Sequence, residues 1–129
     1  MNVDRSARLF AQAGLTGELE ADALARISIY FELRDRWANT HNLAGPRARK
    51  FPWQVDLIDA YALSQVVDPS HALVDVGSGS GTPGLLVACI CPEAAVILVE
   101  PIAKRTAFLR RAAADLDLRG VQVRRGRWP

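Results

Sequence analysis

Cysteine and histidine are scarce in this sequence, with two of each among 129 residues. Cys89 and Cys91 are separated by a single residue, a poor spacing for an internal disulfide, and alone they cannot complete a four-ligand zinc site. Both sit in an apolar segment and read as packed thiols. His41 and His71 are isolated, so loop or surface roles are expected for them rather than metal binding or catalysis. No apolar run is long enough to cross a membrane, and no basic stretch leads into an apolar one at the start. A cytoplasmic location is the expectation. Repeats and low-complexity tracts are also missing. Half of the residues are apolar and 23% are charged, which excludes a disordered chain and fits one domain with a sizeable core.

The formal net charge of +2 hides a gradient. Residues 1–45 carry five basic and six acidic side chains, and residues 46–101 carry three and six. Residues 102–129 carry eight basic against two acidic, a local balance of +6. Such asymmetry suits a polyanionic partner near that end, and it equally suits a solvated helix face.

Residues 3–14 read as a short helix with Val3, Ala7, Phe10 and Ala11 on one side and Gly14 as its stop. A longer helix is predicted from Glu18 to Asn39, where Leu19, Ala23, Ile27, Tyr30, Phe31 and Trp37 keep the helical period. "NLAGPRARKFP" is a loop. A third helix fits residues 53–67, with Trp53, Leu57, Ala60, Tyr61 and Ser64 along one side. The pattern then changes to alternation. "HALVDVG", "AAVILVE" and "GVQVRRG" read as strands. Between them, "TPGLLVACIC" is a helix with Thr82 as its cap and Pro83 in its first turn. "IAKRTAFLRRAAADLDL" is another, with Ile102, Leu109, Ala112, Ala113 and Leu116 inward. Strand, helix, strand, helix, strand is half of a doubly wound α/β sheet.

The stretch "LVDVGSGSGTPGLL" carries the chemistry. A strand that turns directly into a helix leaves backbone N–H groups without partners, and glycines let a ligand lie against that backbone. Gly77, Gly79 and Gly81 therefore mark a ligand seat. A phosphate loop needs Gly-Lys-Ser/Thr, and Gly81-Thr82-Pro83 lacks the lysine. A dinucleotide site is closer, since residues 79–84 match G-x-G-x-x-G and Glu100 follows about 20 residues on. Asp75, however, stands two residues before Gly77, where a carboxylate repels a pyrophosphate and suits a cation. S-adenosyl-L-methionine carries positive charge on its sulfonium and its amino group and has no phosphate. Asp75, Gly77, Gly79 and Gly81 follow the Asp-x-Gly-x-Gly-x-Gly pattern of Rossmann-like methyltransferases. Glu100, at the end of the second strand, is expected to accept hydrogen bonds from the ribose hydroxyls.

With these residues in place, the chain resembles the RsmG family, also called glucose-inhibited division protein B. Its members are bacterial methyltransferases acting on guanine N7 of small-subunit (16S) ribosomal RNA. The likeness rests on "RWANTHNL", on "DVGSGSGTPGLLVA" with its Pro83-Gly84, and on "EPIAKRTAFLRRAAADLDL". It implies a class I methyltransferase fold, with N-terminal helices over residues 1–70 and a partial S-adenosylmethionine-binding unit over residues 71–129. It further implies that Gly77 and Thr82 touch the methionine part of the cofactor and that Glu100 holds the ribose. Arg127, Trp128 and Pro129 fall where the family lines the adenine, and Pro129 replaces an acidic residue there. Val55, Asp56 and Asp59 stand in place of the family's Arg-His-x-x-Asp, without its cations. Lys104, Arg105, Arg110 and Arg111 are candidate phosphate contacts to ribosomal RNA or the small subunit, with a solvated helix face as the alternative reading.

The family's fourth strand and those beyond it have no counterpart, so a chain shortened at its C-terminal side is expected, with "ALVDV" as a bare apolar edge. Guanine N7 has a free lone pair, so methylation needs no general base, and no His/Asp or Cys/His constellation is nominated. Three functions follow in order: the methyltransferase, a cofactor-binding remnant without activity, and a dinucleotide-binding domain.

Overall fold

The computed structural model describes residues 8, 19–41, 50 and 55–128. The helix expected over 3–14, the basic proline loop, Trp53 and Pro129 lie outside the described residues, Arg8 and Lys50 apart. The helices bounded by described residues ahead of the sheet are α1, which spans Ala21–His41, and α2, which spans Leu57–Ser64. Then β1 (Leu73–Val76), α3 (Gly84–Ile90), β2 (Val96–Glu100), α4 (Ala103–Asp115) and β3 (Val121–Arg125) alternate. The strands form one parallel sheet in the order β1-β2-β3. This is the expected βαβαβ half-sheet.

Right-handed crossovers between strands laid down in one direction put α3 and α4 on the same face. Leu73, Val96 and Val121 share that face, as do Asp75, Leu98 and Val123. Helix α1 lies across α3 and α4, and α2 packs on α3. The core between these layers holds Ile27, Tyr30, Leu57, Leu85, Leu98, Phe108 and Leu109, all fully buried. The other face of the sheet is open, with Val74 at 39% and Val76 at 55% exposure. Among the described residues strand β1 is an edge, so its apolar character and its unpaired side coincide. Strand β3, the opposite edge, carries Arg124 and Arg125, and Arg110 of α4 lies 3.5 Å from the Val123 carbonyl.

Local details depart from the sequence pattern in instructive ways. Ile102, expected inward, is the N-cap residue of α4 and is 46% exposed. Thr82 does not cap α3; Pro83 occupies the N-cap position, without a side-chain cap bond. The Asp75 carboxylate accepts the Gly84 N–H instead, at 3.0 Å. That contact needs glycine, because a Cβ on Gly84 would lie 2.6 Å from both Asp75 Oδ2 and Leu98 Cδ2. The Pro-Gly pair thus lets α3 close down on β1 and β2.

A buried polar pair joins the two N-terminal helices. Arg34 is ion-paired with Asp56, and its guanidinium lies 5.1 Å from the Phe31 ring centre and 5.7 Å from that of Tyr30. Asp56 therefore serves the helix–helix contact. Cys89 is fully buried, and burial pushes its thiol up to about 12, which leaves it a packed, unreactive group. Among the described residues no helix is long and apolar enough to cross a membrane.

Candidate functional site

The turn from β1 into α3 has three left-handed glycines: Gly77 at φ 75°, Gly79 at 57° and Gly81 at 98°. A side chain on Gly81 would strike Leu85, 2.7 Å away, so this glycine serves packing. Gly77 and Gly79 differ: nothing lies within 4 Å of where their Cβ atoms would be. Their bare sides face open space. That is where a ligand can rest on the backbone.

The donors of this turn are already in use. The N–H groups of Gly77 and Ser78 both donate to the Val99 carbonyl, at 2.8 and 3.2 Å. Gly81 N–H donates to Ser78 O at 2.8 Å, and Gly79 N–H donates to Glu100 Oε1 at 3.0 Å. The unpaired N–H groups inferred from the sequence are thus largely satisfied within the protein. A phosphate-binding nest works by turning such donors outward, and this turn holds them inward.

Two carboxylates back the turn. Glu100 is 2% exposed; its Oε1 accepts from Gly79 and its Oε2 from the Ile102 N–H at 2.8 Å. Each carboxylate oxygen keeps a second acceptor site. Arg105 Nη1 lies 3.9 Å from Oε1 and belongs to a side chain 40% exposed. Asp75 lies at the other flank. Burial raises its carboxyl above the usual range, the Gly84 N–H pulls it back, and the charge of Glu100 raises it further.

Beyond Glu100 the chain forms a cleft of about 280 Å³ lined by Val76, Gly77, Val99, Pro101, Gly126, Arg127 and Trp128. Trp128 is 59% exposed. Gly77 belongs both to the turn and to this cleft, so the two are continuous. A nucleoside cation fits this arrangement: bare backbone for a chain of light atoms, acceptors for hydroxyls, and an aromatic wall for a base. Among the described residues no cluster of His, Cys, Asp or Glu could hold a metal ion.

Sequence reasoning missed two participants. Tyr30, read as one residue of an apolar stripe, reaches the turn through its hydroxyl. Ser78 ties the turn to β1 through a 2.8 Å bond from its hydroxyl to Asp75 O. His71, for which a loop or surface role was expected, is exposed before β1, at the end of the strand away from the turn, where it meets Asp68 Oδ2 at 3.0 Å. The four candidate phosphate contacts also separate. Lys104 is exposed, Arg105 leans toward Glu100, Arg110 toward Val123, and Arg111 pairs with Asp115 at 2.9 Å.

The profile of the family described as GidB, rRNA small subunit methyltransferase G, matches residues 23–128. The chain belongs to this family. A ribosomal RNA small subunit methyltransferase G from Halorhodospira halophila is 40% identical over 110 residues, covering 85% of this chain and 52% of that relative. The protein of that name from Neisseria gonorrhoeae is 33% identical over 126 residues, covering 97% of this chain and 61% of its own length. The Mycobacterium leprae one is 38% identical over 105 residues, with shares of 79% and 42%. The chain spans about half the length of the curated GidB relatives it matches. The GidB match takes in α1 from Ala23 onward, the glycine turn, Glu100 and Trp128 alike.

Asp75 gives a pH signature. An acid with a raised value in the folded state holds its proton more readily folded than unfolded. Between the unfolded value, about 3.9, and the higher folded one, stability falls as pH rises. Above that window the charge is a standing cost. Asp75→Asn keeps an oxygen for the Gly84 N–H and removes the charge, so it should resist urea better than the natural chain at pH 7. The advantage should shrink toward pH 4. Equal urea midpoints at pH 7, or an advantage independent of pH, would contradict this account.

Proposed function

We propose that this GidB-family chain provides the S-adenosyl-L-methionine seat of a methyltransferase acting on guanine N7 of 16S ribosomal RNA in the cytoplasm. One observation supports the choice of ligand above others. The N–H groups of Gly77, Ser78, Gly79 and Gly81 are directed into the protein, while the carboxylates of Asp75 and Glu100 flank the turn. Such a seat disfavours pyrophosphate and favours a cationic nucleoside. Dinucleotide binding is the weaker reading for this reason.

In this reading Gly77 and Gly79 offer bare backbone to the methionine part, beside Gly81 and Thr82. The remaining acceptor sites of Glu100 take the ribose hydroxyls, and Trp128 with the adjoining cleft takes the adenine. Bound there, the cofactor supplies an electrophilic methyl group. Guanine N7 brings its own lone pair, so the protein needs no base and works by positioning and by excluding water. Lys104 and Arg105 stand beside the Glu100 end of the site and suit RNA phosphates. Arg110 and Arg111 have closer protein partners than Arg105 has, so their share of that contact is smaller.

Calorimetric titration with S-adenosylmethionine, S-adenosylhomocysteine and NAD tests the ligand. Binding of the first two without NAD is expected; the reverse would overturn the reading. Methyl incorporation into undermethylated small ribosomal subunits then tests the reaction. Cofactor binding without incorporation would assign these residues the seat alone, in line with a span of about half the relatives' length.

A further inference from the structure

We propose that Tyr30 is a positioning residue for the cofactor turn: it orients the Thr82 hydroxyl so that Thr82 meets the ligand's ammonium group as an acceptor. This inference rests on the cofactor reading above. Tyr30 lies on α1, 50 residues from Ser80 and 52 from Thr82, and is fully buried. Its hydroxyl oxygen is 2.6 Å from the Ser80 carbonyl and 3.3 Å from Thr82 Oγ1.

The direction of both bonds follows from counting protons. A carbonyl has none to give, so the phenol must donate its single proton to Ser80 O. The contact between the two hydroxyl oxygens then requires the Thr82 proton. The chain runs Thr82 O–H to Tyr30 O–H to Ser80 C=O. With its proton committed, the Thr82 oxygen has only acceptor capacity for whatever approaches the turn. An ammonium group has donors only, so the two are complementary. A hydroxyl free to rotate would suit donors and acceptors equally.

The phenol itself is held firmly. Its ring lies 5.4 Å from that of Phe31 and 6.3 Å from that of Phe108. Burial raises its pKa above the ordinary 10, so the proton that drives the chain stays in place at neutral pH. The second hydroxyl is placed to be used: Thr82 is partly exposed, whereas Tyr30 cannot touch a ligand at all.

Tyr30→Phe keeps the ring and deletes one oxygen. The readout is the affinity, by calorimetry, for two ligands: S-adenosylhomocysteine, which has the ammonium, and 5′-methylthioadenosine, which does not. Tyr30→Phe should weaken the first about tenfold, the scale of one charge-assisted hydrogen bond, and leave the second within about twofold. Thr82→Val should reproduce that selective loss, and Thr82→Ser should restore it; these variants at the partly exposed turn decide the matter if Tyr30→Phe does not fold. Equal weakening of both ligands, or of neither, overturns the inference and leaves Tyr30 as core packing. If the natural chain binds neither ligand, the cofactor reading falls, and this inference falls with it.

Discussion

Glu100→Ala is expected to lower the unfolding free energy by about 3 kcal/mol and to abolish cofactor binding. Its carboxylate is 2% exposed and accepts two backbone N–H groups, from Gly79 and from Ile102. Hydrogen bonds to a charged group each contribute about 1.5–3 kcal/mol, and the variant leaves both donors without that partner. Water reaching Ile102, which is 46% exposed, offsets part of the loss. Glu100→Gln separates charge from shape. The amide offers one oxygen, so one N–H keeps an acceptor while the other faces an NH₂ group. Its cost should fall between zero and that of alanine, about 1–2 kcal/mol. The order Glu, Gln, Ala should hold for urea midpoints and for S-adenosylhomocysteine affinity alike. A glutamine variant as stable as the natural chain would show that the turn is held by something else.

Phe108→Ala should cost about 3–5 kcal/mol, the range for emptying a buried aromatic site. Phe108 is fully buried on α4, 5.5 Å from the Trp37 ring and 6.3 Å from that of Tyr30. Both partners belong to α1, so the ring anchors the N-terminal helix to the α/β unit. Domains of this size have total stabilities of about 5–15 kcal/mol, which puts the variant near the limit of folding. Amide exchange should show α1 losing protection before the strands do. Uniform loss across the molecule would instead mean that helix and sheet unfold as one unit. Phe108→Leu, which refills much of the space, should recover more than half of the loss.

The first two strands of the sheet were readable because they are short, largely apolar runs closed by glycine or proline. Leu73–Val76 ends at Gly77, and Val96–Glu100 ends at Pro101. The inward stripe of α1 was readable for the same reason: period reports which side of a helix is covered. Period does not report partners. Nothing local to Arg34 announces Asp56, and nothing local to Tyr30 announces Ser80, because each pairing spans a long stretch of chain and is created by helix docking. Thr82 misled as a helix cap because threonine before a helical run fits that role by type. Asp75 takes the Gly84 N–H from the neighbouring strand, which no helix-start rule considers. Ile102 failed similarly: its apolar character suited the buried side, yet its position at the helix entrance exposes it.

Burial also sorts the charges of this molecule by their response to ionic strength. Mobile ions screen exposed charges over about 8 Å in physiological saline, and they act far more weakly on charges enclosed by protein. Lys104, Arg124 and Arg127 stand in solvent, whereas Glu100 is enclosed beneath the glycine backbone. Rising salt therefore quiets the basic rim long before it touches the field at the turn, so electrolyte concentration alone can dissociate the two halves of the electrostatic landscape.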